Sequence, residues 1–240
     1  MNTAILTQAR MASTRLPGKV LMTISGKTIL EYHCKRALWS GLPVIVTTTT
    51  NAIDNAIVLV CQKLNLPYFA GDSLNVLKRY YNCARQFRLD CIIRITADCP
   101  LIDGHLIHKG LKQFQLTKPD YLSNTLTRTY PQGFDFEIFT FEMLEEAYTH
   151  ARDAFEKEHV TPYIWRNTSK RFTIHQFKRS ADNSYYKVAI DKQSDFQMIR
   201  KLIIQYRADI KSCEEIIAIL DRHPEIATIN CNQGEKNDEK

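Results

Sequence analysis

Short apolar, β-rich runs alternate along the first hundred residues with longer stretches whose apolar positions recur every three or four residues. Residues 4–7, 44–47, 68–69 and 92–96 are predicted strands, and residues 29–40, 54–64 and 74–87 are predicted helices between them. That alternation is the signature of parallel βαβ units, whose right-handed crossovers place helices on both faces of a sheet. After Pro119 the rhythm changes to a predicted strand at 134–139, a helix at 141–150 and a mixed stretch through Val160 and Phe172, which reads as an excursion from the sheet. The first pattern returns with a predicted strand at 187–190 and helices at 194–206 and 213–221. Residues 231–240 are polar, charged and aperiodic, and read as a disordered tail.

Composition narrows the class. A chain of 240 residues, 44% hydrophobic, closes one substantial core and is too short for two full ones. The net charge of +6 is the small difference of 32 basic and 26 acidic residues, with no basic block, so an anionic small substrate is favoured no less than nucleic acid. The longest apolar runs fall far short of the roughly 20 residues that a bilayer span needs. The first eight residues carry no secretory pattern, and the expectation is a cytoplasmic protein. Seven cysteines, at 34, 61, 83, 91, 99, 213 and 231, form no Cys-x-x-Cys pair and sit mostly in apolar segments, as reduced, buried thiols do.

Four constellations carry candidate chemistry. Directly after the first strand stands Gln8-Ala-Arg10-Met-Ala-Ser13-Thr14-Arg15-Leu-Pro17-Gly18-Lys19, three cations and two hydroxyls where α/β sheets bind ligands. The phosphate-loop pattern is absent, since Ser13 replaces its first glycine and Val20 follows Lys19. Arg10 and Arg15 suit phosphate oxygens as forks and Lys19 suits them as a point charge, the alternative being a solvated basic turn.

In Arg94-Ile-Thr-Ala-Asp98-Cys-Pro-Leu-Ile-Asp103 an apolar strand ends on a carboxylate. Asp98 fits a magnesium ligand, with Asp191 after the late strand as its partner, because magnesium binds through one or two carboxylates plus substrate phosphates. A turn or cap is the alternative for Asp98 and the preferred role for Asp103. Asp135 and Glu137 alternate with aromatics in Tyr130-Pro-Gln-Gly-Phe-Asp135-Phe-Glu137 and share one strand face, either as ligands for sugar hydroxyls or metal or as the polar face of an edge strand. His159, flanked by Glu156 and Glu158, is either an acid-base group or a structural histidine.

Taken in order, these segments, with Gly71-Asp72 through Val76-Leu-Lys-Arg79-Tyr-Tyr81 and Glu158-His-Val-Thr-Pro-Tyr163, resemble the spore-coat polysaccharide type (SpsF-like) cytidylyltransferases, relatives of the CMP-sialate and CMP-octulosonate synthetases. The resemblance spans about residues 3–205. It implies an α/β, three-layer, Rossmann-like nucleotide-diphospho-sugar transferase fold, a mostly parallel sheet with a small inserted subdomain. One domain over residues 1–230 would hold a nucleotide half at 1–118, an acceptor and dimerisation excursion at 119–185, and a return to the sheet at 186–230. The implied activity is magnesium-dependent transfer of CMP from CTP to a sugar, sugar acid or phosphonate for surface polysaccharide, by a homodimer without nucleic-acid or membrane partners.

By position in that resemblance, Arg10, Arg15 and Lys19 hold the triphosphate, with Arg15, Lys19 and Asp98 catalytic. Leu6, Gln8, Ala9, Ser13, Gly71, Asp72 and Arg79 complete the nucleotide contacts; Tyr130, Asp135, Glu137 and His159 face the acceptor; Asp98 and Asp191 hold Mg2+. The family's Asp-Thr-Pro-Glu-Asp is Asp191-Lys-Gln-Ser-Asp195 here, so the aspartates are kept and the turn differs. The competing readings are a nucleotide-sugar-dependent glycosyltransferase of similar fold, with Asp135 and Glu137 on a donor metal, and a non-catalytic nucleotide or RNA binder.

Overall fold

A computed structural model describes residues 1–230; the expected tail at 231–240 lies outside the described residues. The chain runs β1 (Thr3–Gln8), β2 (Thr23–Ile24), β3 (Lys27–Thr28), α1 (Ile29–Ala37), β4 (Val44–Thr49), α2 (Asn55–Lys63), β5 (Tyr68–Gly71), α3 (Val76–Gln86), β6 (Cys91–Thr96) and α4 (Gly104–Thr117). It continues with β7 (Tyr121–Ser123), β8 (Glu137–Thr140), α5 (Phe141–His150), α6 (Ala154–His159), α7 (Pro162–Arg166), β9 (Ile174–Gln176), α8 (Gln193–Tyr206), α9 (Cys213–Arg222) and α10 (Pro224–Ala227).

Seven strands form one sheet in the order β5-β4-β1-β6-β8-β7-β9, while β2 and β3 make a separate hairpin. β1 is parallel to both neighbours, β4 and β6, and β8 pairs antiparallel with β6 and β7. The sheet is therefore mostly parallel at its centre, where each strand is buried on both faces and reads as a continuous apolar run.

Side-chain alternation splits the core in two. Ile5 on β1 and Ile93 on β6 point into a cluster with Leu30 of α1, Ile107 of α4, Phe196 of α8 and Ile216 of α9. Ala4, Leu6 and Ile92 point the other way, to Leu77 of α3, Leu144 of α5 and Ile164 of α7. Fully burying one such aliphatic side chain contributes about 1.5–3 kcal/mol.

Helix starts follow local chemistry. Thr28 and Glu31 close a capping box on α1, and Asp103 caps α4 through the amides of His105 and Leu106. A second Asp103 oxygen accepts the Cys213 amide at 2.7 Å, so the residue read as a cap also ties α4 to α9. The cysteines among the described residues are all free and buried, and there no helix is long and apolar enough to cross a membrane.

Two expectations are corrected. Residues 187–190 form no strand: one bridge, Gln132 with Lys187, is made through Gln132 N on Tyr186 O and Val188 N on Gln132 O, and the ladder goes no further because Ile190 N donates instead to Asp98 O in the loop after β6. Residues 119–185, read as leaving the sheet, add β7, β8 and β9 to it. β7 and β9 are three residues each, too short for a periodic signal, and β8 starts only at Glu137, since the Phe134 carbonyl and the Phe136 amide before it are bonded to the Asn124 side chain.

Gly104 opens α4 hard against the end of α1. A Cβ there would lie 2.5 Å from Ser40 N and 2.6 Å from Arg36 O, rigid backbone on both sides. Gly104→Ala is expected to lower stability by about 1–3 kcal/mol, read as a drop in the urea midpoint at unchanged slope. An unchanged midpoint would mean that the α1–α4 contact is loose.

Candidate active site

The carboxyl ends of β1 and β6 are adjacent, and the loops leaving them face each other. The β1 loop is folded on itself, with Ser13 N and Gly18 N both donating to Met11 O at 2.9 Å, and Gly18 takes φ of +71° after Pro17. Met11 N in turn donates to Asp54 Oδ1 at 2.7 Å, and Asp54, buried, also accepts the Thr49 hydroxyl. The cationic loop is thus anchored from the next βα connection, a role the sequence reading did not assign to Asp54.

Lys19 reaches from this loop across the strand ends. Its Nζ donates to Asp98 Oδ2 at 2.8 Å, to Ile190 O at 2.6 Å and to Asp191 Oδ1 at 3.1 Å. Arg15 reaches the same Asp191 Oδ1 at 2.9 Å, and Lys187 pairs with Asp191 Oδ2 at 3.1 Å. Burial disfavours the charged Lys19, but Asp98 and Asp191 outweigh it and hold its pKa above the ordinary lysine value. Burial likewise disfavours the Asp191 carboxylate, and Lys19 and Lys187 outweigh that to hold it below the usual range. A raised lysine keeps its charge until high pH and a lowered aspartate keeps its charge until low pH, so this pair is ionised throughout the neutral range.

Asp98 caps nothing: its oxygens meet Lys19 Nζ and the Cys99 thiol. The turn that carries Asp191 is held by Asp195, whose Oδ2 accepts the amides of Asp191 at 2.8 Å and Lys192 at 2.9 Å along with Lys187 Nζ at 2.9 Å. These bonds fix the pose of Asp191 even though the residues between the two aspartates depart from the family pattern.

A cleft of about 350 Å³ opens over these loops, lined by Gln8, Ala9, Arg10, Ser13, Arg15, Lys19, Arg79, Arg94, Asp98, His159 and Asp191 among others. Gln8 Oε1, Arg79 Nε and Arg94 Nε are buried there with no protein partner; leaving such groups unpaired costs about 1–3 kcal/mol each, which a polar ligand offsets. Arg10 faces Glu158 at 3.5 Å across the cleft mouth.

Four expected contacts stand apart from the cleft walls. Leu6 has its side chain in the core behind β1, and its carbonyl accepts the Tyr80 hydroxyl. Gly71 packs on Phe69 and Arg79, and Asp72 accepts the amides of Leu74 and Asn75 at the start of α3. The Asp72 carbonyl holds the Arg79 guanidinium, so this loop reaches the cleft through Arg79. Tyr130 is buried and stacked on Phe177, ring centroids 5.9 Å apart.

A second cavity of about 240 Å³ is lined by Asp135, Glu137, Thr125, Phe155, Thr161 and Trp165 and shares Arg94, Thr96 and His159 with the first. Its carboxylates are already engaged. Arg128 forks onto Asp135, and Glu137 accepts from Arg94, the Tyr121 hydroxyl and the Thr161 hydroxyl. Burial pushes the Asp135 carboxyl above its ordinary value in spite of Arg128. Arg94, at the junction of both cavities, was quoted in the strand motif but given no role; a charged residue within an apolar strand run was its signal.

The architecture is that of the Rossmann-like nucleotidyltransferases, with a cationic loop and two carboxylates at the carboxyl edge of a parallel sheet. The chain belongs to the cytidylyltransferase family, whose model matches residues 4–233. It is similar to a cytidylyltransferase of known structure from Leptospira borgpetersenii, at a TM-score of 0.92 and 32% identity over 99% of this chain and 100% of that one. The spore coat polysaccharide biosynthesis protein SpsF of Bacillus subtilis is 29% identical over 92% of this chain and 95% of its own length. A CMP:2-keto-3-deoxy-manno-octonic acid synthetase solved with CTP shares the fold, at a TM-score of 0.64 and 18% identity over 86% of this chain and 100% of that one.

His33, to which no role was assigned, lies under this site. Its Nδ1 meets Cys99 O at 2.8 Å and its Nε2 meets Thr7 Oγ1 at 2.9 Å, clamping the Asp98 loop to β1. Burial depresses its pKa from 6.5 to about 4, against the raising effects of the Cys99 carbonyl and Asp98. The unfolded chain takes up this proton first, so the neutral imidazole's full contribution is present above about pH 6.5 and is lost as pH falls to about 4. His33→Gln is expected to flatten the fall of unfolding free energy across that window; an unchanged slope would show that His33 is not held neutral.

Proposed function

We propose that this protein transfers the cytidylyl group of CTP to a sugar or sugar-acid acceptor, releasing pyrophosphate, in the synthesis of surface polysaccharide. The observation that carries the reading is the cleft at the β1 and β6 ends, where Arg10, Arg15 and Lys19 meet Asp98 and Asp191 in a chain of the cytidylyltransferase family. The name of the B. subtilis relative supports the polysaccharide role, and the octonic acid synthetase crystallised with CTP supports the nucleotide and the acceptor class.

The chemistry follows from charge. An acceptor oxygen attacks the α-phosphorus in line, the bond from that phosphorus to the bridging oxygen of the β-phosphate breaks, and pyrophosphate leaves with the electron pair. Arg15 and Lys19, on the triphosphate side of the cleft, offset the charge that develops on the leaving group. Gln8 and Arg79 line the same cleft and would meet the nucleotide there. The second cavity receives the acceptor, and its shared wall of Arg94, Thr96 and His159 brings the acceptor oxygen to the α-phosphate; a hydroxyl acceptor gives up its proton to water in the open cleft on attack.

The donor set fits magnesium, because Asp98 and Asp191 line the same cationic cleft and magnesium needs only one or two carboxylates beside phosphates. Asp98 and Asp191 would hold it, and it would supply further neutralisation of the phosphates. A glycosyltransferase reading with Asp135 and Glu137 on a donor metal fits less well, because both oxygens of each are taken, those of Asp135 by Arg128 and those of Glu137 by Arg94, Tyr121 and Thr161, whereas Asp98 Oδ1 meets only the Cys99 thiol.

Purified protein is expected to release pyrophosphate from CTP, above the other three nucleoside triphosphates, only when a suitable sugar acid or phosphonate is present. Release without acceptor, or none across a broad panel, would contradict the reading. Asp98→Asn is expected to lower that turnover about a hundredfold or more while the protein stays folded; near-normal turnover would remove Asp98 from the site.

A further inference from the structure

An ammonium group has three hydrogens and no acceptor, and those of Lys19 are all placed: one on Asp98 Oδ2, one on Asp191 Oδ1 and one on Ile190 O. In this arrangement Lys19 has no donor left for a phosphate. Its nitrogen also stands at 2.8 and 3.1 Å from one oxygen of each carboxylate, in the space a divalent cation shared by the two would claim. A lysine ammonium and a dication cannot both sit within about 4 Å of the same oxygens without strong like-charge repulsion, which even at a surface-like dielectric is several kcal/mol for two such centres.

We infer that Lys19 is an internal counter-ion that closes the Asp98–Asp191 pair to divalent metal and opens it only when a polyphosphate draws the ammonium away. The inference rests on the reading of these carboxylates as the metal ligands. It gives Lys19, beside its contact with the phosphates, the task of ordering assembly: metal and triphosphate bind with positive coupling, since each favours the state in which Lys19 has left the carboxylates, and that coupling is reciprocal. The surroundings permit the movement. Lys19 stands on a single 3-10 turn, residues Lys19–Leu21, at the end of a loop; Lys187 stays on the other oxygen of Asp191, Oδ2, while Arg15, on the same Oδ1 as Lys19, turns to the phosphates with it. Arg15 is a weaker guard than Lys19, because its side chain is 61% exposed against 11% for Lys19.

The test is direct binding of Mn2+ to the nucleotide-free protein, followed by electron paramagnetic resonance of the free ion. Lys19→Gln and the closer isostere Lys19→Met are expected to bind Mn2+ about tenfold or more tightly than the unaltered protein, a factor equal to roughly 1.4 kcal/mol. The same variants should bind tripolyphosphate more weakly in the presence of a chelator. Lys19→Arg keeps the cation and should stay within about threefold of the starting Mn2+ affinity. Adding Asp98→Asn to Lys19→Gln should remove the gain. Circular dichroism confirms folding, and Lys19→Arg carries the comparison should both neutral variants unfold, since an Mn2+ affinity raised by that charge-preserving change would overturn the proposal. Equal or weaker Mn2+ binding by a folded Lys19→Gln overturns it and leaves the metal reading standing. No Mn2+ binding by any form, with or without CTP, overturns both.

Discussion

One ammonium group joins three parts of the chain that are far apart in sequence. Lys19 lies 79 residues from Asp98 and 172 from Asp191, yet its three hydrogen bonds fix the β1 loop, the end of β6 and the turn before α8 against one another. Each participant is partly buried, with side-chain exposures of 11%, 24% and 13%. Removing one partner from such a cluster leaves the others as uncompensated charges, which is typically far costlier than the net value of the intact cluster. The rest of the site is arranged to keep the cluster in register. Asp54 holds the loop, His33 holds the Asp98 segment and Asp195 holds the Asp191 turn.

The sheet explains why these loops meet. Because β1 lies between two parallel neighbours, the loops at its carboxyl end and that of β6 emerge on the same edge, and peptide dipoles and cations can be aimed at a common point. Preorganised charge of this kind costs no reorganisation when phosphate charge develops, which is where most of the acceleration of phosphoryl-type transfer arises. The second cavity is built to a different rule. Its carboxylates are matched internally by arginines, so it offers shape, hydroxyls and aromatic surface more than net charge.

The central strands and the helices beside them were legible because apolar periodicity is strong where a sheet is buried on both faces. The places of Asp98 and the cationic loop at the sheet edge were legible because they follow β6 and β1, whereas Asp191 follows a segment that is no strand and was placed by the resemblance. Three things were not. The segment at 187–190 has strand-like composition, but its amides go to loop carbonyls. β7 and β9 are too short to show a period. The supports, His33, Asp54 and Asp195, are single polar residues in apolar or turn contexts, and only their tertiary partners reveal them. Leu6 and Tyr130 lie in or beside the sequence segments that carry the resemblance, yet they pack into the core, Leu6 because side chains alternate between faces along β1 and Tyr130 because its ring stacks on Phe177.

The central claim is that the β1 loop reads the phosphates beyond the first. Calorimetric titration of Arg15→Ala with CTP, CMP and cytidine tests it most directly, since Arg15 is the exposed cation of the cluster and its loss leaves the Lys19 bonds in place. CTP affinity is expected to fall by about tenfold or more, a change of roughly 1.4 kcal/mol, with CMP and cytidine within about threefold of the unaltered protein. Equal weakening of all three ligands would contradict it and make the loop a structural element.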